Sequence, residues 1–307
     1  MHEGEGLSAG DWESLLQPRT RRHVLKAGFG AAAAVAASPL LAACGSSSSS
    51  SGGGLDALRK NGAKVGIAAE PPESEISGGQ AVGVFPEIAM MVCRKLGITK
   101  FTPVLTDFSG VIPGVQAGRV DLACPGLYIT PERCSAILFT NPQVAYYEAM
   151  AVKAGNPHNI RTYKDVAKGG LRLGVVTGSF EPQLAAKEGV SSGKIQTFPD
   201  VPSMLDALNV GRIDAGGYDN VTIAYFLKKA TYQGLSETEP YLPAGKNSAG
   251  IGLSKQAKDL QTAFNKEQSK LFAQNAFDPI YKKWGVPESS TKLAQSQTWQ
   301  QFCKASA

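Results

Sequence analysis

The sequence predicts an α/β chain with two mostly parallel sheets, one in each of two similar lobes joined by a hinge. Three observations predict it. From Lys64 onward, short apolar runs alternate with amphipathic helical segments, the pattern of strand–helix units built on parallel sheets. One segment recurs. Ile112, Val115 and Gly118-Arg119-Val120-Asp121 are matched 93 residues later by Leu205, Leu208 and Gly211-Arg212-Ile213-Asp214. Helix–Gly–strand punctuation is common in itself, but here several apolar positions also match in register. Finally, 307 residues is about two domains at roughly 150 residues each.

The elements follow in order. Lys64–Ala69 is a short apolar strand. Val84–Leu96 is a helix, with Phe85, Ile88, Ala89, Val92 and Leu96 on one face. Phe101–Leu105 is a strand, Ser109–Ala117 a helix stopped by Gly118, and Asp121–Cys124 a strand. Then come strand Leu171–Val176, helix Glu181–Glu188, strand Ile195–Phe198 and helix Pro202–Val210. Strand Ile213–Gly216 and helix Val221–Lys228 complete the series, and a helical end spans 256–284. The chain crosses between lobes twice. Ala151–Pro157 is a strand running into turn residues, and Gly250–Ser254 is a short strand flanked by Gly. This places 154–247 in one lobe and 56–153 plus 248–307 in the other. Ligands of such sheets bind at the carboxyl ends of the strands, so a cleft is expected there.

The first 55 residues read as export and anchoring signals. Arg21-Arg22 precede an Ala-rich apolar stretch, Ala27–Ala37, as in a twin-arginine signal. Leu41-Ala42-Ala43-Cys44-Gly45 resembles a bacterial lipobox, which would remove residues 1–43 and lipidate Cys44. An amphipathic helix with an incidental cysteine is the plainer alternative. The run to residue 55 is almost pure Ser and Gly, a flexible tether. Together these predict an exported protein held on the outer face of the cell membrane. No apolar run approaches the roughly 20 residues that span a bilayer.

Composition excludes several classes. Hydrophobic residues make up 43% and charged residues 19%, enough for a core and too few charges for a disordered chain. The net charge of +5 is scattered, with no polybasic block, so nucleic acid is not an expected partner. Past the leader only His158 remains, and CxxC spacing is absent, which argues against metal sites, histidine triads and any cofactor. Cys93, Cys124, Cys134 and Cys303 allow three disulfide connectivities, and the sequence does not choose among them.

Ile129-Thr130-Pro131-Glu132-Arg133 opens a helix, with Thr130 as N-cap and Pro131 at the first position. Arg133 then lies where a cation opposes the helix macrodipole. It reads equally as an exposed arginine or as one that meets a carboxylate, together with nearby backbone N–H groups. Val176-Thr177-Gly178-Ser179 ends a strand and opens a helix, either as a tight turn with Ser179 as N-cap or as an anion cradle. Asp219 reads as an N-cap, as a partner for a buried cation, or as both.

The stretch Gly126-Leu-Tyr-Ile-Thr-Pro-Glu-Arg-Cys134, followed by Phe139-Thr-Asn-Pro142, resembles the polar amino-acid branch of bacterial extracellular solute-binding proteins. The resemblance runs from about Lys64 to Gly285 and includes Gly174–Ser179 and Tyr281–Gly285. It implies a type II periplasmic-binding-protein-like fold. It also implies the role of substrate-binding subunit of an ABC importer, a monomer working with a permease and its ATPase subunits. By this resemblance Arg133 holds a ligand carboxylate, assisted by Thr130 and the backbone near Gly126. Ser179 assists from the other lobe, and Asp219 holds an ammonium.

Ile67-Ala-Ala-Glu70, Pro72 and Ile112-Pro-Gly114 are most similar to ectoine- and hydroxyectoine-binding members. There Glu70 would face the ligand's cationic ring, and Phe108 and Tyr128 would cover it through cation–π contact. Core packing is the alternative for both aromatics. An aromatic usually follows the proline matching Pro72, and here Glu73 stands instead. Asp219 suits a free α-ammonium, which ectoine lacks, so a polar or cationic amino acid is the other expected ligand. The class implies a binding protein rather than an enzyme; a dehydratase-like enzyme or a ligand-sensing module on the same fold are the alternatives.

Overall fold

The computed structural model describes residues 54–242 and 247–304. The expected signal, the lipidation site at Cys44 and nearly all of the tether lie outside these residues. Helix α1 (Leu55–Asn61) leads into strand β1 (Ala63–Ile67), and a small hairpin of β2 (Glu75–Ser77) and β3 (Gln80–Val82) follows. Helix α2 (Val84–Lys95) buries Phe85, Ile88, Ala89 and Val92 of the predicted face, while Leu96, the fifth predicted position, is the half-buried C-cap. Next are β4 (Phe101–Leu105), α3 (Val111–Gln116), β5 (Leu122–Tyr128), α4 (Pro131–Ala136), β6 (Leu138–Phe139) and β7 (Val144–Tyr146). With β13 (Asn247–Leu253) these strands form the first sheet, ordered β4-β1-β5-β13-β6, with β7 also on β13. Strands β4, β1 and β5 run parallel, and β13 lies antiparallel to β5.

The second sheet is ordered β10-β9-β11-β8-β12. It comprises β8 (Glu148–Lys153), β9 (Leu173–Val176), β10 (Ile195–Phe198), β11 (Ala215–Asp219) and β12 (Leu235–Glu237). Strands β10, β9 and β11 are parallel, whereas β8 is antiparallel to both of its neighbours. Helices α5 (Tyr163–Gly169), α6 (Glu181–Lys187), α7 (Val201–Asn209) and α8 (Asn220–Leu227) flank it. Separate apolar clusters carry α7 and α8, built on Met204, Leu208 and Phe226, and α5 and α6, built on Tyr163, Val166 and Leu184. The first sheet is covered likewise. Phe85, Phe264 and Tyr281 belong to one of its clusters and Val111, Val115 and Phe139 to another. Each sheet is therefore a three-layer unit. No helix among the described residues is long and apolar enough to cross a membrane.

The crossing between sheets corrects one expectation. Residues 148–153 pair with β11 and β12, so this strand sits with the second sheet rather than with the first. The chain passes from β7 to β8 through Tyr147 alone. Turn chemistry after Lys153 pointed to the wrong end of the strand. The chain ends in α9 (Lys258–Ala273), α10 (Asp278–Trp284), α11 (Glu288–Gln295) and α12 (Gln300–Cys303). Cys134 and Cys303 are disulfide-bonded, with Cα atoms 5.5 Å apart, so α12 is tied to α4. Cys93 and Cys124 are buried and unbonded.

Candidate functional site

The carboxyl ends of the parallel strands in both sheets converge. Glu73 follows β1, Phe108 follows β4 and Tyr128 ends β5, while Ser179 follows β9 and Asp219 ends β11. They enclose a small cavity, lined also by Gly126, Arg133, Phe180, Glu181 and Tyr218. A larger depression beside Met90, Met91 and Ile280 lies on the outer side of α2 and gathers no comparable set of buried groups.

Arg133 is placed by its helix start. Thr130 has extended backbone and its hydroxyl accepts the Arg133 N–H at 3.2 Å, the predicted N-cap bond. The guanidinium then reaches back. Nη1 donates to the Tyr128 carbonyl at 2.9 Å, and Nη2 donates to the Gly178 carbonyl at 3.1 Å. It lies 5.8 Å from the Phe108 ring centre. One side chain thus bridges the end of β5 and the turn after β9, linking the two halves.

Other contacts join the halves at the same place. Gly178 has φ +79°, and a Cβ there would stand 2.8 Å from the Ser109 Cβ. Only glycine permits so close an approach in this left-handed conformation. Gln183 Nε2 donates to Glu132 at 2.8 Å, and the Tyr218 hydroxyl donates to Glu70 Oε2 at 2.8 Å. The cleft is closed in this structure.

Carboxyl groups dominate the interior. Asp219 caps α8 by accepting the Thr222 N–H at 2.8 Å, so its capping role holds while it also lines the cavity. Burial pushes it up to about 6, against the pull of the Thr222 N–H. Glu181 is pushed to about 7 by burial. Glu70 is pushed to about 8, again mainly by burial, with the Tyr218 hydroxyl acting to lower it. Glu73 rises well above the usual carboxylate range through burial and the proximity of Asp219. Both Glu73 oxygens, one Glu181 oxygen and one Glu70 oxygen have no hydrogen-bond partner. An arginine guanidinium stays charged at any working pH.

Six of the eight expected site residues line the cavity: Phe108, Gly126, Tyr128, Arg133, Ser179 and Asp219. Two do not. Thr130 is occupied in capping α4. Glu70 sits behind Tyr218 and borders a neighbouring depression with Phe108 and Asp200. Ser179 is not an N-cap either: its hydroxyl donates to the Val176 carbonyl at 2.7 Å, and Phe180 occupies the cap position. Phe180 packs against Tyr128 in a tilted arrangement, ring centres 5.7 Å apart. Sequence reading missed Phe180, Glu181 and Tyr218, and left Glu73 undecided. For Glu73 a signal existed, a carboxylate where an aromatic is usual. Glu181 entered only as the first residue of the expected helix Glu181–Glu188, where an acid also suits the helix dipole.

Residues 63–287 match the family described as bacterial extracellular solute-binding proteins, family 3. The chain belongs to this family. A probable amino-acid ABC transporter periplasmic-binding protein of Sinorhizobium fredii is 28% identical over 246 residues, 78% of this chain and 82% of that protein. The lysine/arginine/ornithine-binding periplasmic protein of Escherichia coli is 28% identical over 222 residues, 70% of this chain and 83% of that one. Among solved structures, EhuB in complex with hydroxyectoine superposes with a TM-score of 0.76 at 32% identity, covering 82% of this chain and 98% of that one. These relatives of the family 3 chain are solute-binding proteins rather than enzymes. The two sheets and their strand orders agree with the type II periplasmic-binding-protein fold.

Proposed function

We propose that this chain is the substrate-binding subunit of an ABC importer, and that its two halves close on a polar or cationic amino acid or on ectoine or hydroxyectoine. One observation carries the reading. Arg133 spans the closed cleft from Tyr128 to Gly178 at one side of a cavity whose other buried charges are carboxyls. A zwitterion matches that polarity. Its carboxylate takes the guanidinium, and its cationic part takes Asp219 and the neighbouring acids. Phe108, Tyr128 and Phe180 supply the apolar and cation–π walls. Hinge closure around the solute is the general mode of periplasmic binding proteins, and the single-residue crossing at Tyr147 suits it.

The relatives named above support amino-acid transport, and the structural likeness to a hydroxyectoine complex keeps ectoines among the candidate solutes. In this reading a lipid on Cys44 and the Ser/Gly tether hold a monomeric receptor at the outer face of the membrane. There it delivers solute to a permease served by ATPase subunits. The test is a thermal-shift screen of the purified protein against the standard amino acids, ectoine and hydroxyectoine. A ligand at 100 times its dissociation constant adds about 2.7 kcal/mol to the folded state. A clear shift with one of these solutes is expected; no shift with any of them overturns the reading.

A further inference from the structure

We propose that the cavity selects a solute of net positive charge, a zwitterion with a second ammonium or guanidinium group, and that Glu73 is the residue that selects it. This rests on the receptor reading above and names the solute class within it.

The argument starts from unequal satisfaction of the buried carboxyls. Asp219 already accepts a backbone N–H, whereas neither oxygen of Glu73, at 3% exposure, makes a well-formed hydrogen bond; the nearby donor is the Tyr146 hydroxyl, itself unpartnered. A bare buried carboxyl is costly and calls for a donor. A neutral zwitterion has one cationic centre. Placed with its carboxylate on Arg133 and its ammonium on Asp219, it leaves Glu73 bare. A second cationic group removes that deficit.

The chain holds Glu73 in this place firmly. Its N–H donates to the Glu70 carbonyl at 2.9 Å, and its carbonyl accepts the Phe85 N–H at the start of α2 at 3.2 Å. Glu70 and Ser74 exchange backbone bonds of 2.9 and 3.1 Å across the same loop. Gly126 makes room for the carboxyl. At φ +74°, a Cβ on Gly126 would crowd the Glu73 Oε2 and Cγ at 3.3 Å. The groups that act on Glu73 are Asp219 at the start of α8 and Glu70 in its own loop, whose charges raise it, and the Tyr146 hydroxyl on β7, which as a hydrogen-bond donor lowers it. None of them is cationic. Arg133 is the one basic side chain lining the cavity, against Glu73, Glu181 and Asp219. Burial and Asp219 raise the Glu73 carboxyl well above the usual range, so a cation that takes it favours loss of its proton.

The experiment is isothermal titration of the purified protein with L-arginine, L-lysine, L-citrulline, L-glutamine and ectoine, in buffers of differing ionisation enthalpy. Citrulline is the neutral near-isostere of arginine. Arginine or lysine is expected to bind at least about tenfold tighter than the three neutral zwitterions, with measurable proton release. Glu73→Gln is expected to bring that ratio within about threefold by weakening the cationic solutes, and to abolish the proton release. Should Glu73→Gln fail to fold, the wild-type ratio and proton count decide the matter. A neutral zwitterion binding as tightly as arginine and lysine, or an unchanged ratio in Glu73→Gln, overturns the proposal and leaves the receptor reading standing. If none of the five binds, the proposal falls, and the screen above decides whether the receptor reading falls with it.

Discussion

In the first sheet Asp121 accepts the Lys64 N–H at 2.8 Å and donates its own N–H to the Lys64 carbonyl at 2.9 Å. In the second, Asp214 does the same with Arg172, at 2.8 and 2.9 Å. Each aspartate follows a left-handed glycine, Gly118 at φ +66° and Gly211 at φ +75°. At the carboxyl ends of the same strands the likeness stops. The first half brings Arg133, Glu73, Phe108 and Tyr128 to the cavity, whereas the second brings Glu181, Asp219 and Tyr218 and no basic group. The repeat therefore sets the frame, and the loops set the chemistry. Because the lone cation and the second half's carboxyls come from opposite sides, only the closed form presents both to one solute.

Removing the cation breaks this opposition most severely. Arg133→Ala is expected to weaken binding of the identified solute by at least about a thousandfold, about 4 kcal/mol, because the ligand carboxylate is left buried without a partner. The fold should survive, since Arg133 is not part of an apolar core. Titration calorimetry measures the first claim and far-UV circular dichroism the second. Wild-type affinity in a folded variant would remove Arg133 from the site.

The joint between the halves comes next. Glu148, the first residue of β8, is fully buried and accepts three side-chain donors. These are the Tyr128 hydroxyl at 3.3 Å, the Tyr163 hydroxyl at 3.0 Å and Asn247 Nδ2 at 2.9 Å. Two come from first-sheet strands and one from a helix of the second half. Burial holds its carboxyl well above the usual range. Glu148→Leu strands all three donors and is expected to cost on the order of 3 kcal/mol in denaturant unfolding. A loss under 0.5 kcal/mol, taken as roughly the effect of an ordinary surface change, would show that this cluster does not hold the halves together.

Much of this frame was legible in the sequence, because frame and period are local properties. Strands Phe101–Leu105 and Ile195–Phe198 occur with the expected bounds, and the buried face of α2 is the expected one. Strand β5 runs on to Tyr128, four residues past its expected end at Cys124. Pro125-Gly126 reads as a breaker, but here the irregularity is absorbed in the pairing with β13, which shifts register between Gly250 and Gly252. The expected helix at Ser109 begins as a 3-10 turn, Phe108–Gly110, before α3. In the site, residues on strand ends and helix starts were legible as a set. Glu70 and Glu73 were not separable, because three residues apart in a loop they face differently. Only the backbone bonds of that loop and the Tyr218 hydroxyl decide which faces the cavity.

Acidity in the cavity gives the next effect. The folded values of Glu70 (about 8), Glu181 (about 7) and Asp219 (about 6) all lie above the ordinary 4.5, 4.5 and 3.8. A raised carboxyl favours the folded state fully below its ordinary value and loses that contribution as pH rises through the folded value. The ligand-free protein should therefore lose several degrees of Tm between about pH 5 and 8. Glu181→Gln should flatten the slope. A rising Tm over this range would mean that water enters the cavity freely and that the acids are not desolvated.

The smallest effect tests the repeat itself. Asp121→Ala and Asp214→Ala each remove the acceptor of one backbone N–H, and each is expected to cost about 1 kcal/mol at neutral pH. Asp214 also meets the Arg172 guanidinium, with Nη2 at 2.6 Å and Nε at 3.0 Å. The Arg172 side chain is 42% exposed, so solvent screens that pair and it adds little. It does leave a mark in pH. Hydrogen bonding from Arg172 holds Asp214 below its ordinary 3.8. A lowered carboxyl stabilises above its ordinary value and ceases to do so as pH falls. The difference between wild type and Asp214→Ala should then shrink below about pH 4, and added salt should narrow it slightly at neutral pH. Equal costs at pH 7 would establish one clamp used twice. A negligible cost for Asp121→Ala beside a full cost for Asp214→Ala would instead make the second clamp an ion-pair site that resembles the first only in sequence.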